Sequence, residues 1–256
     1  MTLPARLAAA LLGACAMAAG AADLLILGEV HDQPDQQRQA ADEVQRLAAD
    51  GRLAALVLEM AEAPHTSAGL PRDASEAQVQ QALHWRGWPW PAYAAVVMQA
   101  VRAGVPVVGG NLPREQMRAA MADPGLEASV SPAVRERLAQ EVRDGHCGLL
   151  PEAQVPGMVR IQIARDRSMA ATAAQAARDA GTTQQVLLLA GAQHASRDRG
   201  IPLHLAAADP GLPVQVRMFG PLSSRLVADE WRDAQVTPQA DHCAGLRQSL
   251  GASAPR

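Results

Sequence analysis

The sequence predicts an α/β fold, an open, mostly parallel sheet flanked by helices, with an additional helical portion. Two observations predict it. Short apolar runs recur at Leu24-Leu25-Ile26-Leu27, Leu56-Val57-Leu58, Val105-Pro106-Val107-Val108 and Val186-Leu187-Leu188-Leu189. They do not alternate with polar residues, which suits strands buried on both faces. Helix-length segments lie between them, so right-handed β-α-β crossovers are expected to join parallel neighbours.

The elements follow in order. Residues 34–49 open on Pro34 and place Ala40, Val44, Leu47 and Ala48 at helical spacing. The stretch 63–72, bearing Pro and Gly, reads as a loop. Residues 93–103 form an apolar helix ending at Gly104, a residue suited to the left-handed position after a helix. Residues 132–142 are charged and amphipathic. Residues 152–180 are a long Ala- and Met-rich helical region ending at Gly181, with a break expected near Pro156-Gly157. The late run 214–219 is expected to add an edge strand. There is no internal repeat and no low-complexity linker. The chain therefore reads as one domain over 23–250, preceded by an export signal at 1–22 and followed by a disordered tail at 251–256.

Composition narrows the function. Hydrophobic residues make up 48% and charged residues 19% of the 256, a globular rather than disordered balance. Net charge is −3, from 23 basic and 26 acidic residues, with no basic stripe, so no nucleic-acid partner is expected. Aromatic content is 2%, leaving the core to Leu, Val, Ala and Met. Tyr93 is the single tyrosine, which restricts any phenolate chemistry to one position.

In the signal, Arg6 precedes an apolar run over 7–12, far short of the roughly 20 residues that span a bilayer. Two cleavage readings fit. Leu12-Gly13-Ala14-Cys15 matches a lipobox, which would put a lipid anchor on Cys15. The small residues from Ala18 to Ala22 suit ordinary signal peptidase. Cys147 and Cys243 remain, each following a histidine (His146, His242). A disulfide tying the C-terminal tail to the body is the favoured reading for an oxidising compartment; a zinc site is the weaker one.

Polar residues fall where the strands end. The first run leads into Gly28-Glu29-Val30-His31-Asp32, the second into Glu59, the third into Gly109-Gly110-Asn111 and the fourth into Gly191-Ala192-Gln193-His194. Open α/β sheets bind ligands at the carboxyl ends of their strands. Glu29 and His31 are two apart, so extended backbone points both the same way. With Glu59 and His194 they make two carboxylates and two imidazoles, a set suited to a divalent metal or to general acid-base catalysis. The competing structural roles are a capped turn for Glu29 and a helix start for His194. Gln162, Arg165, Asp166 and Met169 share one helix face. Residues 84–93 hold His84, three of the four tryptophans and Tyr93, which suggests a ligand wall or an interface. Arg114 follows Asn111 at a helix start, where it could take a carboxylate.

These residues carry a resemblance. "LGEVHDQPDQQ", "LVLEM", "WPWPAY", "VVGGNLPR", "GHCGLLP", "QIARDRSMA" and "AGAQHASRDRGIPLHL" occur in an order similar to the ChaN-type haem-binding lipoprotein family, over about residues 23 to 245. That family sits in a wider group with the Tiki proteases, TraB proteins and erythromycin esterases. The resemblance implies an iron-regulated haem-binding lipoprotein. It would be anchored on the periplasmic side of the outer membrane and form a homodimer with haem at the interface. It also implies a site at Glu29, His31, Glu59 and His194, which does hydrolytic chemistry in other branches; a metal-dependent hydrolase is therefore the alternative function. One departure matters. Ala228-Asp229-Glu230-Trp231 stands where the family tends to carry a tyrosine. Tyr93 is then the remaining phenolate for ferric haem, with His84 as the substitute ligand. Asn111, Arg114, Gln162, Arg165, Asp166 and Met169 complete the expected cofactor contacts, and Met60, Met98, Met158 and Met169 are expected to supply soft walls.

Overall fold

The computed structural model describes residues 23–220 and 225–252, so the export signal with Cys15 and the last four residues lie outside the described part. Strand β1 (Asp23–Glu29) leads through helix α1 (Pro34–Ala49) to β2 (Leu53–Glu62). Helices α2 (Glu76–Ala82) and α3 (Trp90–Ala103) lead to β3 (Val107–Asn111). Then come α4 (Met117–Ala122), α5 (Pro132–Gly145) and the long α6 (Val155–Asp179). Strand β4 (Gln185–Gly191) is followed by α7 (Ala192–Ala195) and α8 (Pro202–Ala208), and the chain closes with β5 (Val214–Phe219), β6 (Glu230–Arg232) and α9 (His242–Ala252).

The sheet order is β3-β2-β4-β1-β5-β6, and every strand pair in it is parallel. The 214–219 run is not the edge strand that was expected. It lies between β1 and β6, and the three-residue β6 takes the edge. So short a strand, with Glu230 and Arg232 alternating around Trp231, leaves no apolar run to read. The expected break in the 152–180 helix is also absent. Pro156 falls in the first turn of α6, where its missing N–H has no helical partner to lose.

Side chains alternate along each strand between two helical layers. Leu25, Leu27, Leu56, Leu58, Leu187 and Leu189 pack with Val44 and Leu47 of α1 and Val96, Val97 and Val101 of α3. Leu24, Ile26, Val57, Val186 and Leu188 pack on the opposite face with Met169, Ala170, Ala173 and Ala177 of α6 and Leu205 of α8. The connections after β1 and β4, adjacent central strands, therefore leave on opposite faces. That geometry opens a crevice between their carboxyl ends. A third cluster makes the additional helical portion: Ala120 of α4, Leu138, Ala139 and Val142 of α5, and Val155, Val159 and Ile163 of α6. It caps the strand ends. Cys147 and Cys243 are joined in a disulfide that ties α9 to the end of α5. No helix among the described residues is long and apolar enough to cross a membrane.

Candidate functional site

The four strand-end residues meet. Glu29 closes β1 with its side chain buried. Its Oε1 accepts a 2.7 Å hydrogen bond from the Tyr93 hydroxyl and lies 3.0 Å from His31 Nδ1. Glu59, from β2, is 2% exposed; its Oε1 accepts from Arg165 Nη2 at 2.7 Å and its Oε2 from the Gly191 N–H at 2.7 Å. The two imidazoles stand on either side of it. His31 Nε2 is 3.8 Å from Oε2, and His194 Nε2 is 3.6 Å from Oε1. His194 Nδ1 in turn lies 2.6 Å from Asp166 Oδ1 on α6. Tyr93, Glu29, His31, Glu59, His194 and Asp166 thus form one continuous polar chain across the strand ends.

Burial and charge compete along this chain. Burial pushes the Glu59 carboxyl up, but His194, Arg165 and His31 and the Gly191 N–H overcome it and hold it at about 2. For His31, burial pulls the pKa down, yet the hydrogen bond to Glu29 and the charges of Glu59 and Glu29 leave it raised. His194 is also raised, because Glu59 and Asp166 outweigh its burial. Asp166 is pushed up by burial, only partly offset by His194. Both imidazoles are held toward the protonated form by carboxylates on either side.

Above this floor lies a cleft of about 670 Å³. Val30, Trp88, Leu138, Val142 and Leu226 give it apolar walls, and Glu141, His146, Gln162, Arg165 and Gln193 add polar groups. The Trp88 ring sits 4.6 Å from that of His31. Among the described residues, no group of three or more His, Cys, Asp or Glu could hold a metal ion. Apart from Glu29 Oε2, the side-chain donors of Glu29, His31, Glu59 and His194 face one another, Tyr93, Asp166, Arg165 and the Gly191 N–H.

Of the expected contacts, Gln162, Arg165 and Asp166 line the cleft. Asn111 stands behind it, donating to the Glu59 carbonyl at 2.8 Å and accepting from Arg165 Nε at 2.9 Å, so it aims the guanidinium. The others fall elsewhere. Tyr93 is fully buried in the first helical layer beneath Glu29. Met169 continues its helix face down into the second layer and packs there. His84 is exposed, adopts φ 48°, stacks on His65 at 3.9 Å and borders a separate hollow with Glu62 and Glu115. Arg114 sits exposed on a short 3₁₀ turn. Met60 and Met98 belong to the first core layer and Met158 packs against the third cluster, so none of them lines the cleft. The sequence reading missed the α5 wall: Leu138, Glu141, Val142 and, at the helix's end, His146. Their i, i+3, i+4 spacing on an amphipathic helix was the available signal. In the sequence His146 stands out only beside Cys147, as part of the weaker zinc reading, and not as a cleft residue.

The match to known proteins covers most of the chain. The family described as "Haem-binding uptake, Tiki superfamily, ChaN" matches residues 15–205. The chain belongs to the ChaN family. No curated protein matches this ChaN-family chain. Among solved structures, ChaN of Campylobacter jejuni, described as binding haem cofacially, is 23% identical, with a TM-score of 0.66 over 81% of this chain and 86% of that one. At this identity the likeness shows the shared fold. A Bacillus cereus protein, 13% identical over 78% of this chain and 66% of its own, reaches a TM-score of only 0.36.

The cleft of this ChaN-family chain fits a haem in two respects and departs in a third. Its volume falls in the roughly 300–1,000 Å³ range of small-molecule and cofactor sites. Its walls are apolar over a polar floor, as an amphipathic macrocycle requires. The phenolate does not fit. The Tyr93 hydroxyl is committed to Glu29, and burial together with the Glu29 charge pushes its pKa up, away from ionisation.

Gly191 tests the floor directly. A Cβ there would come 2.8 Å from His31 Nε2 and 3.4 Å from Glu59 Oε2. The close atoms belong to side chains, so Gly191→Ala is expected to displace the His31 ring without moving the strand, at a cost of about 1–3 kcal/mol. Titration of His31 by NMR should then move back toward 6.5, because the contacts that raise it lengthen. An unmoved His31 titration would show that Glu29 and Glu59 do not set it.

Proposed function

We propose that this chain binds haem in the cleft over Glu29, His31, Glu59 and His194, and serves haem and iron acquisition at the cell envelope. The observation that carries the reading is the apolar-walled cleft, of cofactor size, over the strand ends of a ChaN-family fold. Val30, Trp88, Leu138, Val142 and Leu226 would take the macrocycle, and the polar groups of Gln162, Gln193 and Arg165 its carboxylates. Bound haem supplies an iron whose affinity and potential are set by its protein ligand and the polarity around it. In this reading Cys15 carries a lipid that anchors the protein on the periplasmic side of the outer membrane, and two copies associate around haem.

An absorption titration with hemin, with metal analysis of the same sample, is the test. A saturable Soret change is expected, and Tyr93→Phe should retain it, since the hydroxyl lies under Glu29 rather than in the cleft. Absence of any Soret change in the unmodified protein would end the haem reading.

A hydrolase is the second reading, and one observation favours it. Glu29 Oε2 is buried and has no hydrogen-bond partner among the described residues, while Oε1 contacts His31. A carboxylate paired with an imidazole at a cleft floor can move a proton. Ester or peptide hydrolysis abolished by Glu29→Gln, with no hemin binding, would favour this reading over the first. A divalent metal in the same sample would support its metal-dependent form.

A further inference from the structure

Three histidines line the cleft: His31, His146 and His194. An imidazole can ligate iron only through a nitrogen with a free lone pair. His31 has Glu29 at one ring nitrogen and Glu59 at the other, 3.0 and 3.8 Å away. His194 has Asp166 and Glu59 in the same relation, at 2.6 and 3.6 Å. Carboxylates on both sides favour the imidazolium, which has no lone pair to offer.

His146 is built differently. Its Nδ1 lies 2.7 Å from the backbone carbonyl of Val142. A carbonyl only accepts, so Nδ1 carries a proton, and in that tautomer the lone pair sits on Nε2. A ring N–H given to a backbone carbonyl is the arrangement that orients metal-binding imidazoles and fixes their tautomer. The position is held as well. His146 caps the C-terminus of α5, Cys147 beside it is bonded to Cys243, and His242 Nε2 lies 3.2 Å from the Gly145 carbonyl. Leu138 and Val142 of the same helix supply adjoining wall.

We propose that His146, through Nε2, is the iron ligand of this chain in place of a tyrosine. The assignment rests on the haem reading above and sharpens it. It assigns His31 and His194 to the charged floor rather than to the iron.

The test is a hemin titration of the full chain, His146→Ala, His146→Gln and His84→Asn, followed by Soret position and electron paramagnetic resonance of the ferric complex. The unmodified protein and His84→Asn, whose changed residue borders a separate hollow, should share an imidazole-ligated signature. Both His146 variants should lose it, and free imidazole should restore it to His146→Ala. Cooperative unfolding of the variants with an unshifted midpoint would show that the loss is not a folding defect. A His146→Ala complex spectrally identical to that of the unmodified protein would overturn the ligand assignment while leaving haem binding standing. No Soret change in the unmodified protein would overturn both.

Discussion

Glu59→Ala is expected to lower the stability of the unliganded protein by about 3–5 kcal/mol at neutral pH, the usual cost of removing one partner from a buried ion pair. The reason is what it leaves behind. Arg165 loses its carboxylate, the Gly191 N–H loses its acceptor, and His31 and His194 are left facing each other across an uncompensated gap. Glu59→Gln fills the same space and can still accept from Gly191, so it should cost less. Acid titration gives the same interaction a sign. The folded Glu59 pKa of about 2 lies below its ordinary 4.5, so its contribution is fully present above pH 4.5 and is lost as pH falls toward 2. At about 1.4 kcal/mol per pKa unit, that is about 3 kcal/mol. The two histidines act oppositely. Their folded values are raised, so their contribution is complete below pH 6.5 and fades as pH rises through those raised values. Denaturant midpoints across pH 2–9 should therefore fall at both ends in the unmodified protein. In Glu59→Gln the acid limb should flatten, and the alkaline limb should shrink because each histidine loses one of its carboxylates. An acid limb of unchanged depth would mean that other carboxylates carry it.

Why the floor of the site was legible in the sequence, and its roof was not, follows from where each comes from. Glu29, Glu59, Asn111 and His194 each follow an apolar run that is unmistakably a buried strand, and a parallel sheet can only bring such ends to one edge. Their convergence was thus implied by topology. Arg165 and Asp166 were legible by helical spacing, and Arg165 reaches both Glu59 and Asn111. Spacing alone gave no depth, however. Met169, one turn further along the same face, passes below the strand ends and becomes core. Tyr93 misled for a related reason. Chemical type suggested an iron ligand, but a residue in the first turn of α3 faces the sheet, and the buried Glu29 needs its hydroxyl. The α5 wall depends on how the third helical cluster folds back over the sheet, and no local periodicity encodes that angle. His146 is the sharpest case: a sequence displays neither its place in the cleft wall nor the contact of its Nδ1 with the Val142 carbonyl of its own helix.

Breaking the Cys147–Cys243 bond should lower stability by about 2–4 kcal/mol, or roughly 5–15 °C in melting temperature for a chain of this size. The bond closes a long loop, with 96 residues of sequence separation, so the unfolded chain gains most of the freedom it had surrendered. On the folded side, Asp241 caps α9 through the Cys243 and Ala244 N–H groups, and His242 reaches the Gly145 carbonyl. Those contacts remain available after reduction, but only as one end of an untethered tail. Because Cys147 adopts φ 57° and is followed by Gly148 at φ 67°, the turn after α5 is tight, and the disulfide is its one covalent restraint among the described residues. Thermal unfolding of Cys147→Ser, Cys243→Ser and the double variant should give the same lowered midpoint, since each removes one shared bond and their effects cannot add. Reductant should bring the unmodified protein to that midpoint and leave the variants where they are. If the double variant melts well below the singles, the thiols matter individually and the loop-closure account is wrong. The same samples reach the site: with the turn released, His146 is less firmly placed, so hemin affinity should fall in the reduced protein and in all three variants alike, while the His31 titration, set by Glu29 and Glu59, stays unchanged.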